Sequence, residues 1–325
     1  MPVLLTDRAA TSSPTPLVTL TDARMLGLRI GGPGYRRVRP RVYADRAQYD
    51  ALPAWRRYEA RVHAFLLRRP GAILCLESAA VVHGLPLFGE TRDIHVYDRD
   101  RSRTKRFGDV VVHASIDERE VVSRGGIHVT TLLDTVVDLA RVLPPARALA
   151  VADAAVSPAQ GGPLPPAAFA ARADAQQNTR GRGRSRWVWD RVDPRAESAG
   201  ESISRAGIEW GGFERPEPQV VLRYEGHVDR VDFGFPRCRG LGESDGWGKY
   251  GMTDPAAAER HLTAQKRRED RLRRHGHPLA RWEFRDAWRV LPMCEKLHAA
   301  GIPSIRPVQP ALIATMRDQT RTLPR

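Results

Sequence analysis

The chain is poor in cysteine. Its 325 residues include only Cys75, Cys238 and Cys294, far apart and without a C-x-x-C pair. That spacing argues against a disulfide framework and against a zinc ribbon, and three thiols suit a reducing cytosol. Long apolar runs are missing too. The stretch "GAILCLESAAVV" is short and interrupted by Glu77, so no bilayer-spanning helix is expected. The opening residues, "MPVLLTDRAATSSPTPLVTL", lack the basic segment and apolar core of a secretory leader. The expectation is a cytoplasmic protein with no membrane partner. Acid is the third shortage: 38 Asp and Glu stand against 52 Lys and Arg, a net charge of +14. That excess favours an anionic partner, and the planar fork of arginine suits phosphate. A nucleic acid, DNA, is favoured over a merely solubilising basic surface.

A chain of this length holds one large core or, more in keeping with ordinary domain size, two. Residues 1–20, rich in Ser, Thr and Pro, read as disordered. Residues 21–156 alternate between helix and strand. "ARVHAFLLRR" is a helix ended by Pro70 and Gly71, and "SAAVVHGL" is one stopped at Gly84. "DIHVYD", "VVVHAS" and "GIHVTT" are short β-branched runs, hence strands. "LLDTVVDLARVL" and "ARALAVADAAV" have helical spacing. Residues 157–190 turn to Pro, Gly, Ala and Arg and read as a linker with a short helix near Ala167–Ala175. Residues 191–300 then give helix, three strands, helix and strand, and residues 301–325 a basic tail. The fold class expected is α/β (mixed α+β) in two domains, the second a mixed sheet flanked by helices.

Three acids of that second unit stand beside apolar runs in "RVDFGFPRCRGLGESDGWGKY". Strand alternation puts Asp232 on the face opposite Val231, Phe233 and Phe235, and gathers Leu241, Glu243 and Asp245 on one face of the next strand. If "PRCRG" closes a hairpin, Asp232 faces Glu243 across the ladder. Like charges there are destabilising, and near a core they need a partner. A divalent cation is one remedy, because Mg²⁺ takes one or two carboxylates and keeps waters. Neutralisation by Arg230, Arg237 or Arg239 is the other, and spacing alone does not choose between them. Glu201 has two readings as well. Ser198-Ala199-Gly200-Glu201 is a capping box, which gives Glu201 a purely structural duty; alternatively the helix aims it at the same cation.

The helix "TDPAAAERHLTAQKRREDRLRRHG" has Asp254 as N-cap, Pro255 in its first turn and Gly276 as terminator. Lys266, Arg267, Arg268, Arg271, Arg273 and Arg274 crowd its last turns. Two or three of these cations suffice to complement the helix dipole; the remainder, Arg267, Arg268 and Arg271 among them, are candidates for DNA phosphates. Trp282 and Trp288 could stack on bases, though a strand Trp is more often core.

The series "ESAGES", "PEPQ", "GHVDRVDFGFP", "ESDG", "KRREDRLRRHG" and "LARWEFRDAW" resembles, over Glu197–Asp286, the very-short-patch-repair-like endonucleases of the PD-(D/E)xK superfamily. The resemblance implies a restriction-endonuclease-like core and a metal-dependent phosphodiester hydrolase using Mg²⁺ or Mn²⁺. It implies Asp232 and Glu243 as metal ligands and places Glu201 with them. Asp245 stands where the superfamily's name has lysine, and Lys249 is a candidate to assist, with a solvated loop lysine as its plainer reading. Gln219 falls where some members place a polar active-site residue.

"GPGYRRVRPRVYA", "LESAAVVHGLPL" and "HVTTLLDTVVDLARVLPPARALAVADAAV" resemble the AbiEi-like antitoxins of abortive-infection type IV toxin–antitoxin systems, over residues 20 to 156. This implies DNA binding and a toxin or defence-system protein as partner. It gives a second reading of the whole chain, a non-enzymatic DNA-binding regulator. One short helix, "LTDARMLGL", precedes the basic hairpin, fewer than a full helix-turn-helix brings to its wing. Tyr35, Arg36, Arg37, Arg39 and Arg41 are the candidates to grip a DNA backbone. His83 reads as a helix-terminal histidine, and His95, His113 and His128 as structural ones. Asp134 and Asp138, four apart on a helix, read as a solvated face.

Overall fold

Short β-branched runs and the loops between them build the first sheet. In the computed structural model, which describes residues 2–89, 91–245 and 255–317 (side chains 255–258, 261 and 262 excepted), six strands lie in the order Lys105–Phe107, Val110–His113, Ile94–Tyr97, Ile73–Leu74, Ile127–Thr130, Val121–Arg124. Ile94–Tyr97 runs parallel to Val110–His113, and Leu74 pairs in parallel with Val129; the other neighbours are antiparallel. Helices Leu132–Val142 and Pro145–Val156 follow it. A smaller antiparallel sheet precedes it, in which Tyr35–Arg39 and Val42–Asp45 form the expected basic hairpin.

The second large sheet has the expected element order. Helix Ala199–Trp210 leads into strands Glu217–Tyr224, His227–Phe235 and Gly240–Asp245, then helix Pro255–Arg274 and strand Leu279–Glu283. The four strands neighbour one another in sequence order, antiparallel except for the parallel last pair. The hairpin turns through Pro236–Cys238, with Arg239 left-handed at φ 56°. The fold is therefore α/β in two domains with mixed sheets flanked by helices.

One hydrophobic cluster crosses from one domain to the other. It takes in Leu5, Leu149, Val151 and Phe169, then Ala206, Trp210, Phe233 and Trp282, and ends at Met316. A second, smaller core of Val231, Leu241, Leu272 and Leu279 joins the basic helix to its sheet. Between the domains, Asp153 of the Pro145–Val156 helix is fully buried and accepts from Ser202 Oγ at 2.6 Å and Arg205 at 2.9 Å. Burial pushes its carboxyl up to about 6, against the Arg205 charge and the Ser202 hydrogen bond, which favour the ionised form.

Three stretches depart from expectation. Residues 1–20 are packed, not disordered: Leu5, Ala10 and Thr15 are buried, and the Ala10 amide donates to Val81 O at 3.0 Å. The Leu5 carbonyl lies so close to Gly84 that a Cβ there would meet it at 2.0 Å. The 157–190 stretch is no free linker either. Phe169 is buried and stacks on Trp189, and Arg141 donates to the carbonyls of Ala173 and Asn178. The tail expected from 301 packs through Ile302, Ile313 and Met316 as far as the described residues go. Small and proline-rich segments read as loose locally, yet apolar partners far along the chain bury them.

Asp134 and Asp138 are likewise not a solvated face. Arg172, from the supposed linker, donates to both oxygens of Asp134 at 2.6 and 3.1 Å, and the Glu120 amide adds a third bond. Arg119 holds Asp138 in a two-point fork at 2.8 Å. Buried carboxylates need such partners, and these come from 14 or more residues away. His83, His95 and His113 behave as expected, whereas His128 is exposed. His83 closes its helix ahead of left-handed Gly84 and bonds Thr130 O at 2.8 Å, burial pushing its ring down to about 4. His95 is buried, 2.9 Å from His113 and 3.4 Å from Glu77.

Candidate active site

A polar row crosses the second sheet. Gln219 lies between the pairs Pro218–Phe233 and Val220–Val231, which sets it opposite Asp232. One step beyond the pair Phe233–Gly242, Asp232 meets Glu243, and Glu243 pairs in turn with Arg281. The rung thus reads Gln219, Asp232, Glu243, Arg281 across four strands. Helix Ala199–Trp210 brings Glu201 to one end of it, and helix Pro255–Arg274 brings Arg268 to the other.

Glu201 takes up its expected capping duty in part. Ser198 Oγ accepts from the Glu201 amide at 3.1 Å, so the cap forms, while the carboxylate reaches past Ser198 to the Glu197 amide at 2.9 Å. Gln219 Nε2 donates to the same oxygen at 2.9 Å. Burial pushes the Glu201 carboxyl up to about 7, and the nearby Asp232 charge adds to the push; hydrogen bonds from Glu197, Ser198 and Gln219 oppose it. Gln219 holds φ 57° inside a strand, a left-handed backbone that a non-glycine residue adopts only when its surroundings impose it. Asp232 accepts from the Ser244 amide at 2.8 Å, tying the strand that carries it to the strand of Glu243.

Glu243 is buried and bound by arginine on both sides. Arg268 contacts one oxygen and Arg281 Nε approaches the other at 3.5 Å. Arg281 also donates to Asp245 at 2.7 Å and to Glu269. Burial opposes its charge, but these acids hold its pKa raised. The arginines proposed from sequence are elsewhere: Arg230 forks onto Glu197, Arg237 lies on Glu214, and Arg239 donates to His275 O. Arg281 and Arg268 were the missed partners. A lone arginine between Ala280 and Trp282 in a buried strand was the available signal.

The DNA-contact candidates divide. Arg267 is exposed. Arg271 is buried and forks onto Asp229 at 2.7 and 2.9 Å, and Arg268 bonds Arg230 O besides Glu243, so both are committed inward. Their side of the helix packs on the sheet, which outward-facing phosphate contacts would not allow. On the hairpin, Arg36 and Arg37 are exposed, whereas Arg39 turns to Asp109, which Arg61 of helix Ala54–Leu66 also reaches. Trp282 is core: it stacks on Phe233 and donates to Ser204 Oγ at 2.9 Å. Trp288 lies under Arg147 and against Phe88. Lys249 and Asp254 lie outside the described residues.

Asp232 and Glu243 have the residue types that Mg²⁺ or Mn²⁺ accepts, two carboxylates with water completing the shell. Among the described residues, no three His, Cys, Asp or Glu side chains are gathered as a ligand set. A cation at Glu243 therefore has to displace a guanidinium. Comparison with known proteins yields no relative: no family model, curated protein or solved structure matches the chain.

Proposed function

We propose that the protein is a metal-dependent DNA endonuclease with its centre on the Glu201–Asp232–Glu243 row. One observation carries the reading: strand register sets Asp232 beside Glu243, and helix Ala199–Trp210 brings Glu201 near enough that the Asp232 charge adds to the upward push on its carboxyl. Like charges gathered beside a core are unfavourable unless the site has a use for them. When bound by Asp232 and Glu243, Mg²⁺ or Mn²⁺ supplies Lewis-acid chemistry to a phosphodiester and its attacking water. Glu201, titrating near neutrality, exchanges a proton with that water. Asp245, which holds Arg281 at 2.7 Å, orients the attacking water, and the exposed Arg36, Arg37 and Arg267 hold the backbone without reading sequence. Genome defence or repair is the setting this chemistry suits, in the cytoplasm.

A second reading rests on the guanidinium contacts at Glu243. With Arg268 and Arg281 as permanent partners the row is structural, and the chain is a non-enzymatic, antitoxin-like DNA-binding regulator with a toxin or defence-system partner. Nicking of supercoiled plasmid with Mg²⁺ or Mn²⁺ separates the two. The endonuclease reading expects cutting that Asp232→Ala and Glu243→Ala both abolish; cutting that survives both substitutions removes the assignment. Salt-sensitive binding without cutting supports the regulator.

A further inference from the structure

We infer that Arg268 is a latch on the metal site: its guanidinium occupies Glu243 in place of a divalent cation, and metal loading requires it to let go. The inference rests on the endonuclease reading and adds to it a residue that sets how readily the site fills.

The geometry points to Arg268 rather than to its neighbours. Glu243 is reached by two guanidiniums. Arg281 is anchored independently of Glu243, by Asp245 at 2.7 Å and by Glu269, so it stays in place whichever partner Glu243 takes. Arg268 is less firmly held. Its other contacts are a 3.7 Å approach to Asp229, whose own fork is filled by Arg271, and one carbonyl, Arg230 O at 2.6 Å. It is also the more exposed of the two, with 28% of its side chain accessible against 18% for Arg281. A long, partly exposed side chain can turn its charged head towards water once its charge partner is taken.

The test measures Mn²⁺ affinity by electron paramagnetic resonance of the free ion, on the full chain without DNA. Arg268→Gln removes the competitor and is expected to tighten binding about tenfold. Arg274→Gln removes the same charge from the same helix, but from an exposed pair with Glu225, and is expected to leave affinity unchanged. Glu243→Gln defines background. Arg281→Gln, read only if its thermal melting stays cooperative, is expected to tighten binding less than Arg268→Gln. If wild type binds Mn²⁺ above background and Arg268→Gln binds no more tightly than Arg274→Gln, the latch is overturned and the endonuclease reading stands. If no variant binds above background, both fall together.

Discussion

On the Leu132–Val142 helix, Asp134 and Asp138 each have a guanidinium of their own, whereas on the C-terminal sheet Glu243 and Asp245 share Arg281. The first arrangement is balanced charge for charge and closed by a backbone amide. In the second, Arg281 serves three acids, and burial together with the nearby Asp232 charge pushes Glu201 up to about 7. Both are acids near a core answered by arginine, but in the first each acid has a guanidinium to itself and in the second one guanidinium reaches several acids. The difference teaches that pairing alone does not mark an acid as structural. What matters is whether each charge has a partner that no other charge is using.

Removing a partner from the balanced set should have the largest effect on stability. Arg172→Ala leaves the buried Asp134 without its guanidinium and is expected to cost at least about 3 kcal/mol, read as a lowered urea midpoint with an unchanged slope; a loss within about 0.5 kcal/mol would place Asp134 with the unbalanced acids. The unbalanced set should answer to pH instead. The Glu201 carboxyl is raised from its ordinary 4.5 to about 7, so the native chain holds a proton that the unfolded chain has lost. Its contribution is full below pH 4.5 and disappears as pH rises to about 7, a loss of at most about 3 kcal/mol. Glu201→Gln should flatten that part of the stability profile, measured by denaturant melts at pH 5 and 7.5. Equal slopes for wild type and variant would return Glu201 to simple capping. The smallest effect belongs to the exposed hairpin: Arg36→Ala and Arg37→Ala should leave stability within about 0.5 kcal/mol and each lower the salt slope of DNA binding by about 1. Titrations at several salt concentrations would show it.

Element order in the C-terminal domain was legible because each signal is local. Alternation marks the strands, "PRCRG" marks the hairpin, and Gly276 ends the basic helix at φ 77°. The facing of Asp232 and Glu243 was legible too, since register follows from the turn. The identity of their partners was not. Arg268 and Arg281 are 25 and 38 residues from Glu243 in sequence, and which arginine a carboxylate meets depends on helix docking, which no local pattern encodes. The same holds for Arg172 and Asp134, and it is why a Pro- and Gly-rich stretch read as linker when its side chains complete the core.

The buried Asp153 joins the two domains to the very helix that carries Glu201: its bonds go to Ser202, the next residue, and to Arg205, one turn on. On the endonuclease reading, a pull on the amino-terminal half would pass through these bonds into the helix that carries Glu201.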